Sequence, residues 1–126
     1  YNQGDMRRDF TYIDDIAEAV VRLTEVIPTR NPEWNVETGT PAESSAPYRV
    51  YNIGNSQPVQ LTEFIHELEL ALGVSAKMNL LPMQPGDVLE TSADTSALEA
   101  VIGFKPATPL ATGLGEFVKW YRDYYL

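Results

Sequence analysis

Amphipathic helical stripes, set at irregular intervals and separated by only short extended segments, restrict the folds open to this chain more than any other feature. Ile16, Val20, Leu23 and Ile27 follow Asp14-Asp15; Leu61, Phe64, Ile65, Leu68 and Leu72 form a second set; Leu110, Leu114, Phe117, Val118 and Tyr121 form the last. Steps of three and four residues put each set on one helical face. The paired carboxylates at 14 and 15 suit an N-cap and a positive helix end, and Pro28 is expected to stop the first helix. Gly73 is expected in the left-handed region after the second. A shorter helix should end at Gly103, capped at its start by Asp94 or by Ser96, which has capping-box spacing to Glu99. Extended segments are expected on both sides of a Gly4-Asp5 turn as a hairpin between Tyr1 and Tyr12, at Arg49–Ile53 before Gly54-Asn55, and at Lys77–Leu81 before Pro82. Pro85-Gly86-Asp87 is a strong turn signal. Residues 28–48 have no usable periodicity and read as a flexible surface loop. The sum is one small mixed α/β domain over residues 1–126, without the regular strand–helix alternation of a complete doubly wound sheet.

With 126 residues the chain can bury one core without covalent staples. Nine basic against eighteen acidic residues leave a net charge of −9, which excludes nucleic acid as a partner and disfavours an anionic membrane surface. No apolar run reaches the 18 or so residues of a membrane span. Cysteine is absent, so there is no disulfide framework, thiolate metal site or cysteine nucleophile; a cytoplasmic location is expected. Because Tyr1, in strand-like sequence, stands where Met would be, the sequence is expected to be a piece of a longer chain.

The chemistry-bearing motifs are few. There is no glycine-rich dinucleotide fingerprint, P-loop, metalloprotease pair or nucleophile elbow. Gly113 and Gly115 have a G-x-G spacing but fall inside the last helical stripe. The sole histidine, His66, lies beside an apolar stripe with no nucleophile pattern and reads as solvated or partly packed. Asp14-Asp15 read as caps before they read as a metal or acid–base pair. The closing Trp120, Tyr121, Tyr124 and Tyr125 read as core packing with a snorkelling edge before a stacking platform. Arg7-Arg8-Asp9 is the first positive signal. Only one of two adjacent strand arginines can face a given cleft, and an inward guanidinium suits a diphosphate. A surface ion pair with Asp5, Asp9 or Asp14 is the competing reading. Gln84-Pro85-Gly86-Asp87 is the second signal: an amide and a carboxylate able to bond ribose hydroxyls or a base edge, or simply a turn with polar ends.

Taken in order, several segments resemble the extended short-chain dehydrogenases/reductases. They are Met6 with Arg8-Asp9-Phe10-Thr11-Tyr12-Ile13-Asp14-Asp15-Ile16; Tyr51-Asn52-Ile53-Gly54-Asn55 with Leu61-Thr62-Glu63; Met83-Gln84-Pro85-Gly86-Asp87; Ala93-Asp94-Thr95-Ser96; Ile102-Gly103-Phe104 with Pro106; and Phe117 to Tyr121. The chain is most similar to the UDP-glucuronate 4-epimerase group, nucleotide-sugar epimerases of capsule polysaccharide synthesis. The resemblance spans nearly all of it outside Thr29–Pro47, and implies the C-terminal, substrate-binding lobe of a Rossmann-type enzyme whose Rossmann core is missing here. It implies NAD in the parent enzyme and none bound by this piece, which also lacks the Tyr-x-x-x-Lys pair and should be inactive alone. It further implies a UDP-sugar ligand, the N-terminal Rossmann domain as partner and a homodimeric parent. Arg8 matches the arginine used on the diphosphate and Asp87 a carboxylate that contacts the uridine ribose. Gln84 stands where related UDP-galactose epimerases carry a phosphate-binding arginine, so its role is reduced. A nucleotide-sugar dehydratase or decarboxylase lobe, or a non-catalytic acidic interaction module, are the alternatives.

Overall fold

Strand ladders form in this molecule only where a second segment is present to satisfy the backbone amides. The computed structural model describes all 126 residues, Tyr1–Leu126. Strand β1 (Arg7–Arg8) runs antiparallel to β2 (Val59–Gln60), with Arg7 opposite Gln60 and Arg8 opposite Val59. On its other edge the Arg7 amide donates to Leu89 O at 2.8 Å and the Thr91 amide donates to Arg7 O at 3.2 Å, a single parallel bridge to Glu90. The hairpin expected around Gly4-Asp5 does not form. Asn2–Gly4 is one tight 3₁₀ turn, and the Gln3 amide donates to Leu81 O at 2.9 Å. Both partners of β1 lie far along the chain, beyond the reach of nearest-neighbour reasoning. The strands expected at Arg49–Ile53 and Lys77–Leu81 are also absent: Arg49 makes one bridge, with Glu43, and residues 77–81 have no ladder partner. β-branched and aromatic residues favour extension, but a strand needs a second row of amides.

The expected four helices are present. Helix α1 (Ile13–Leu23) has Tyr12 at its N-cap, so Asp14 and Asp15 sit inside the first turn rather than capping it. Asp15 instead turns outward, its Oδ2 accepting the Ala107 amide at 3.2 Å and the Thr108 amide at 2.9 Å. The helix stops at Leu23, before Pro28: the Thr24 hydroxyl donates back to Val21 O at 2.6 Å, leaving Ile27 outside the helix and 86% exposed. Fully buried Ala19, not Val20, is the inward centre of the stripe. Helix α3 (Ser96–Ile102) contributes Leu98, also fully buried. Its N-cap is neither expected residue but Thr95, which makes no side-chain cap bond; Asp94, one residue earlier, accepts the Ser96 amide at 3.0 Å and hydroxyl at 2.7 Å through Oδ1. Those two bonds hold the Asp94 carboxyl below the usual range. The Ser96–Glu99 box does not form because Ser96 is already the first helical residue.

Helix α2 (Leu61–Leu72) leaves β2 directly and packs on α4 (Leu110–Tyr125). Gly73 and Gly103 end their helices at φ of 72° and 61°, the left-handed geometry expected of them. Arg122 reaches across from α4 to donate to Leu72 O at 2.8 Å, satisfying a terminal carbonyl of α2. The inward face of α4 is narrower than the stripe suggested. Leu114 and Val118 are buried, whereas Phe117, Trp120 and Tyr121 are 47%, 52% and 38% exposed. These rings, with Tyr124 and Tyr125, stack on one another along the outside, neighbouring centroids 4.8–6.4 Å apart. They are not core. Between α1 and β2 there is no helix or strand, but Glu43 cross-links the segment by accepting from Asn31 at 2.9 Å and pairing with Arg49. The Asn31 bond first, and then Arg49, hold the Glu43 carboxyl below its ordinary range. No helix is long and apolar enough to cross a membrane.

Candidate functional site

Because successive residues of an extended strand point to opposite sides, β1 sends Arg7 and Arg8 in different directions. Arg7 pairs with Glu90 at 3.0 Å and donates to Pro58 O at 2.8 Å, tying β1 to its neighbours. Arg8 turns to the Gln84–Asp87 turn. Its Nη2 lies 3.0 Å from Asp87 Oδ1, in a pair whose side chains are only 24% and 29% exposed. Its Nη1 donates to Arg7 O at 2.8 Å and Leu89 O at 3.2 Å. The aspartates at 5, 9 and 14, expected as ion-pair partners, are not used: a carboxylate 79 positions away takes that place.

The turn that delivers Asp87 follows from its residues. Gly86 sits at φ 83°, open to glycine and strained for most other residues, and the Asp87 amide closes the turn onto Gln84 O at 3.2 Å. Asp87 Oδ1 also accepts the Val88 amide at 2.8 Å, so one carboxylate oxygen is fully engaged and Oδ2 is free. Gln84 is exposed on the same turn, and its side chain bonds to no protein group.

A donor count defines what this arrangement can do. Of five guanidinium N–H groups, Arg8 spends three on protein oxygens; Nε–H remains, together with one Nη2–H that has only the Met6 sulfur at 4.0 Å. A fixed cation with spare donors stands beside a fixed carboxylate with a spare oxygen. The first suits an anionic oxygen and the second a hydroxyl.

The residue missed at the sequence level is Asp9. Its Oδ2 accepts the Ser56 and Ala93 amides, both at 3.0 Å, and its Oδ1 the Gln57 amide at 3.4 Å. A Cβ at Gly54 would lie 3.0 Å from the same carboxylate and 2.5 Å from the Ala93 Cβ, so three segments meet here almost backbone to backbone. Only its position after Arg8 could have drawn attention to it.

Other features fall outside the pair. A 590 Å³ apolar groove, lined by Phe10, Tyr12, Phe64, Leu110, Phe117 and Trp120 among others, does not include Arg8 or Asp87. In it Phe10 stacks on Phe64 at 4.2 Å. Partial burial, then a hydrogen bond with Asp14, raises the Tyr12 phenol above its ordinary range. His66 is 65% exposed and only near Glu69, at 3.9 Å. No group of three or more acidic or histidine side chains is placed to hold a metal.

No protein-family model matches the chain. It is 66% identical over 125 residues to an uncharacterized 37.6 kDa protein of Escherichia coli O111:H-, covering 99% of this chain and 37% of that protein. It is 46% identical over 126 residues to a probable UDP-glucuronate 4-epimerase of Rhizobium meliloti, again 99% of this chain and 37% of the relative. The chain therefore spans just over a third of the length of these curated relatives. Among solved structures it matches the Bacillus cereus UDP-glucuronic acid 4-epimerase in complex with UDP-glucuronic acid and NAD, with a TM-score of 0.73 and 28% identity over 99% of this chain and 35% of that one.

NAD can be tested against the residues present here. Gly113 and Gly115, the one G-x-G pair, lie inside α4. A Cβ at Gly113 would meet the Tyr12 ring at 3.2 Å, and Gly115 faces open space. Neither ends a strand or opens a helix, so the pair does not fit a dinucleotide phosphate. By sequence this chain is similar, over about a third of their length, to UDP-glucuronate 4-epimerases, and its fold matches the C-terminal part of Rossmann-type epimerases.

Proposed function

We propose that the chain is the nucleotide-sugar-binding part of an NAD-dependent 4-epimerase that interconverts UDP-glucuronate and UDP-galacturonate. The observation that carries this reading is the Arg8–Asp87 pair, 3.0 Å apart and half-buried, with donors and one carboxylate oxygen unspent. Arg8 offers its Nε–H and remaining Nη2–H to the diphosphate, while Asp87 Oδ2 accepts from a ribose hydroxyl. Gln84, at the rim of the same turn, supplies neutral hydrogen bonds and no charge, so phosphate binding rests on Arg8. NAD, hydride transfer and proton transfer belong to the N-terminal Rossmann part of the protein, in a homodimeric, cytoplasmic enzyme. The piece alone epimerises nothing.

The test is to incubate the complete protein carrying this sequence with NAD and UDP-glucuronate and to follow the sugar by NMR. Appearance of the C4 epimer is the expected result. A complete protein that neither converts UDP-glucuronate nor binds UDP would remove this reading.

A further inference from the structure

Arg8 does not hold its geometry alone. Its partner Asp87 lies at one end of a segment, residues 87–93, that runs past β1 and is fastened to it at several points. Arg8 takes Asp87 Oδ1 and Leu89 O, the Arg7 backbone takes Leu89 O and the Thr91 amide, and Asp9 takes the far end through the Ala93 amide at 3.0 Å. The Asp9 amide also donates to the Thr91 hydroxyl at 3.4 Å. Asp9 thus clamps one end of the same segment that Arg8 clamps at the other.

The same carboxylate fixes a strained turn. Ser56 has φ 57°, in the left-handed region that non-glycine residues rarely adopt, and its amide donates to Asp9 Oδ2 at 3.0 Å. The Ser56 hydroxyl then donates to Ala93 O at 2.8 Å and lies 3.0 Å from the hydroxyl of buried Thr95. A carboxylate accepting three backbone N–H groups is a rigid junction, because both oxygens are committed and only an acceptor fits.

We propose that Asp9 is a positioning residue for diphosphate recognition: it anchors the 91–93 end of the segment, and so sets the distance at which Asp87 meets and orients the Arg8 guanidinium. This inference rests on the nucleotide-sugar reading above. Asp9 touches no ligand and acts only through Arg8 and Asp87. Asn in its place keeps the size but turns an NH₂ group towards one of the backbone amides, so the junction loses one of its bonds and gains a donor–donor clash.

The experiment measures UDP and uridine binding by the complete protein in four forms: unsubstituted, Asp9→Asn, Arg8→Ala and the double variant. Asp9→Asn is expected to weaken UDP about tenfold, the equivalent of one hydrogen bond to a charged group, and to weaken uridine several-fold less, because uridine meets Asp87 but has no phosphate for Arg8. The double variant is expected to lose much less than the sum of the two single losses, since most of the effect of Asp9→Asn passes through the guanidinium that Arg8→Ala removes. A merely structural role would weaken UDP and uridine by equal factors, and that result overturns the inference. So does unchanged UDP binding in Asp9→Asn. Ser56→Ala provides a second, milder variant at the same junction should Asp9→Asn not fold; it too must lower UDP affinity more than uridine affinity, or the inference fails. Absence of UDP binding by the unsubstituted protein would instead remove the nucleotide-sugar reading, and this inference with it.

Discussion

Replacing Gly54 with alanine tests the close convergence of three segments on which the candidate site stands. Gly54 is buried, and its φ is not in the left-handed region, so alanine meets no backbone penalty there. The effect is steric. The new Cβ would come within 2.5 Å of the Ala93 Cβ and 3.0 Å of Asp9 Oδ2, distances that force something to move. Neither neighbour gives way freely, since the Ala93 amide and the Asp9 carboxylate are bonded to each other at 3.0 Å. Overpacking costs about 1–3 kcal/mol, and this site belongs in the upper half of that range. The lower entropy of the unfolded alanine chain offsets roughly 0.4–1 kcal/mol, leaving a net loss of about 1–2.6 kcal/mol. For a domain of this size that lowers the melting temperature by roughly 4–10 °C. Urea unfolding of the two forms measures it, with an unchanged slope and a lower midpoint expected. Adding Ala93→Gly removes the clashing methyl and should restore most of the loss, a coupling that independent sites do not show. A Gly54→Ala protein as stable as the parent would refute the convergence, and a loss that Ala93→Gly does not reverse would refute its stated cause.

Arg8→Ala is expected to weaken UDP binding by about 1.5–3 kcal/mol, the worth of a hydrogen bond to a charged group; calorimetry showing equal affinity removes Arg8 from the site. Gly115→Ala, in a helix interior with nothing within 4 Å, should stabilise the protein by about 0.5–1 kcal/mol, read from a thermal melt. The Glu43 carboxyl is depressed by the Asn31 and Arg49 bonds, so its contribution is present above its unfolded pKa and is lost as pH falls through the folded one. Amide resonances of residues 31–49 should therefore move together below the usual glutamate range, and Glu43→Gln should abolish that titration.

Helix α2 and its glycine terminator were legible because their signals are local: five apolar residues on one face and a Gly73 that nothing else would replace as easily. The Pro85-Gly86 turn was legible for the same reason. The strands were not, because β1 finds its neighbours at Val59–Gln60 and Glu90 while Arg49–Ile53 and Lys77–Leu81, with comparable composition, find none. For α4 the period was right and the burial was not: only Leu114 and Val118 of the stripe are buried, and the aromatic residues of the same helix lie largely exposed. At the candidate site, pattern alone left Arg8 between a ligand and a surface ion pair, and the resemblance singled out Arg8 and Asp87. Their contact, and the Asp9 junction behind it, join residues too distant in sequence for any spacing rule to connect.

Arg8 and Asp87 are 79 positions apart, and Asp9 and Ala93 are separated by 84, which also orders events in time. At about 5–20 residues per second, β1 leaves the ribosome roughly 4–16 s before the segment that completes it has been made. For that interval the edge of β1 that later meets Glu90 is open, the kind of template on which strands from different chains pair. Two adjacent arginines on a two-residue strand are an effective deterrent to such pairing, since a second copy would bring like charges face to face. The same two arginines that form a clamp and a candidate anion site would thus also discourage wrong pairing during synthesis. Their replacement by apolar residues would show itself in the yield of soluble protein before it showed in any binding constant.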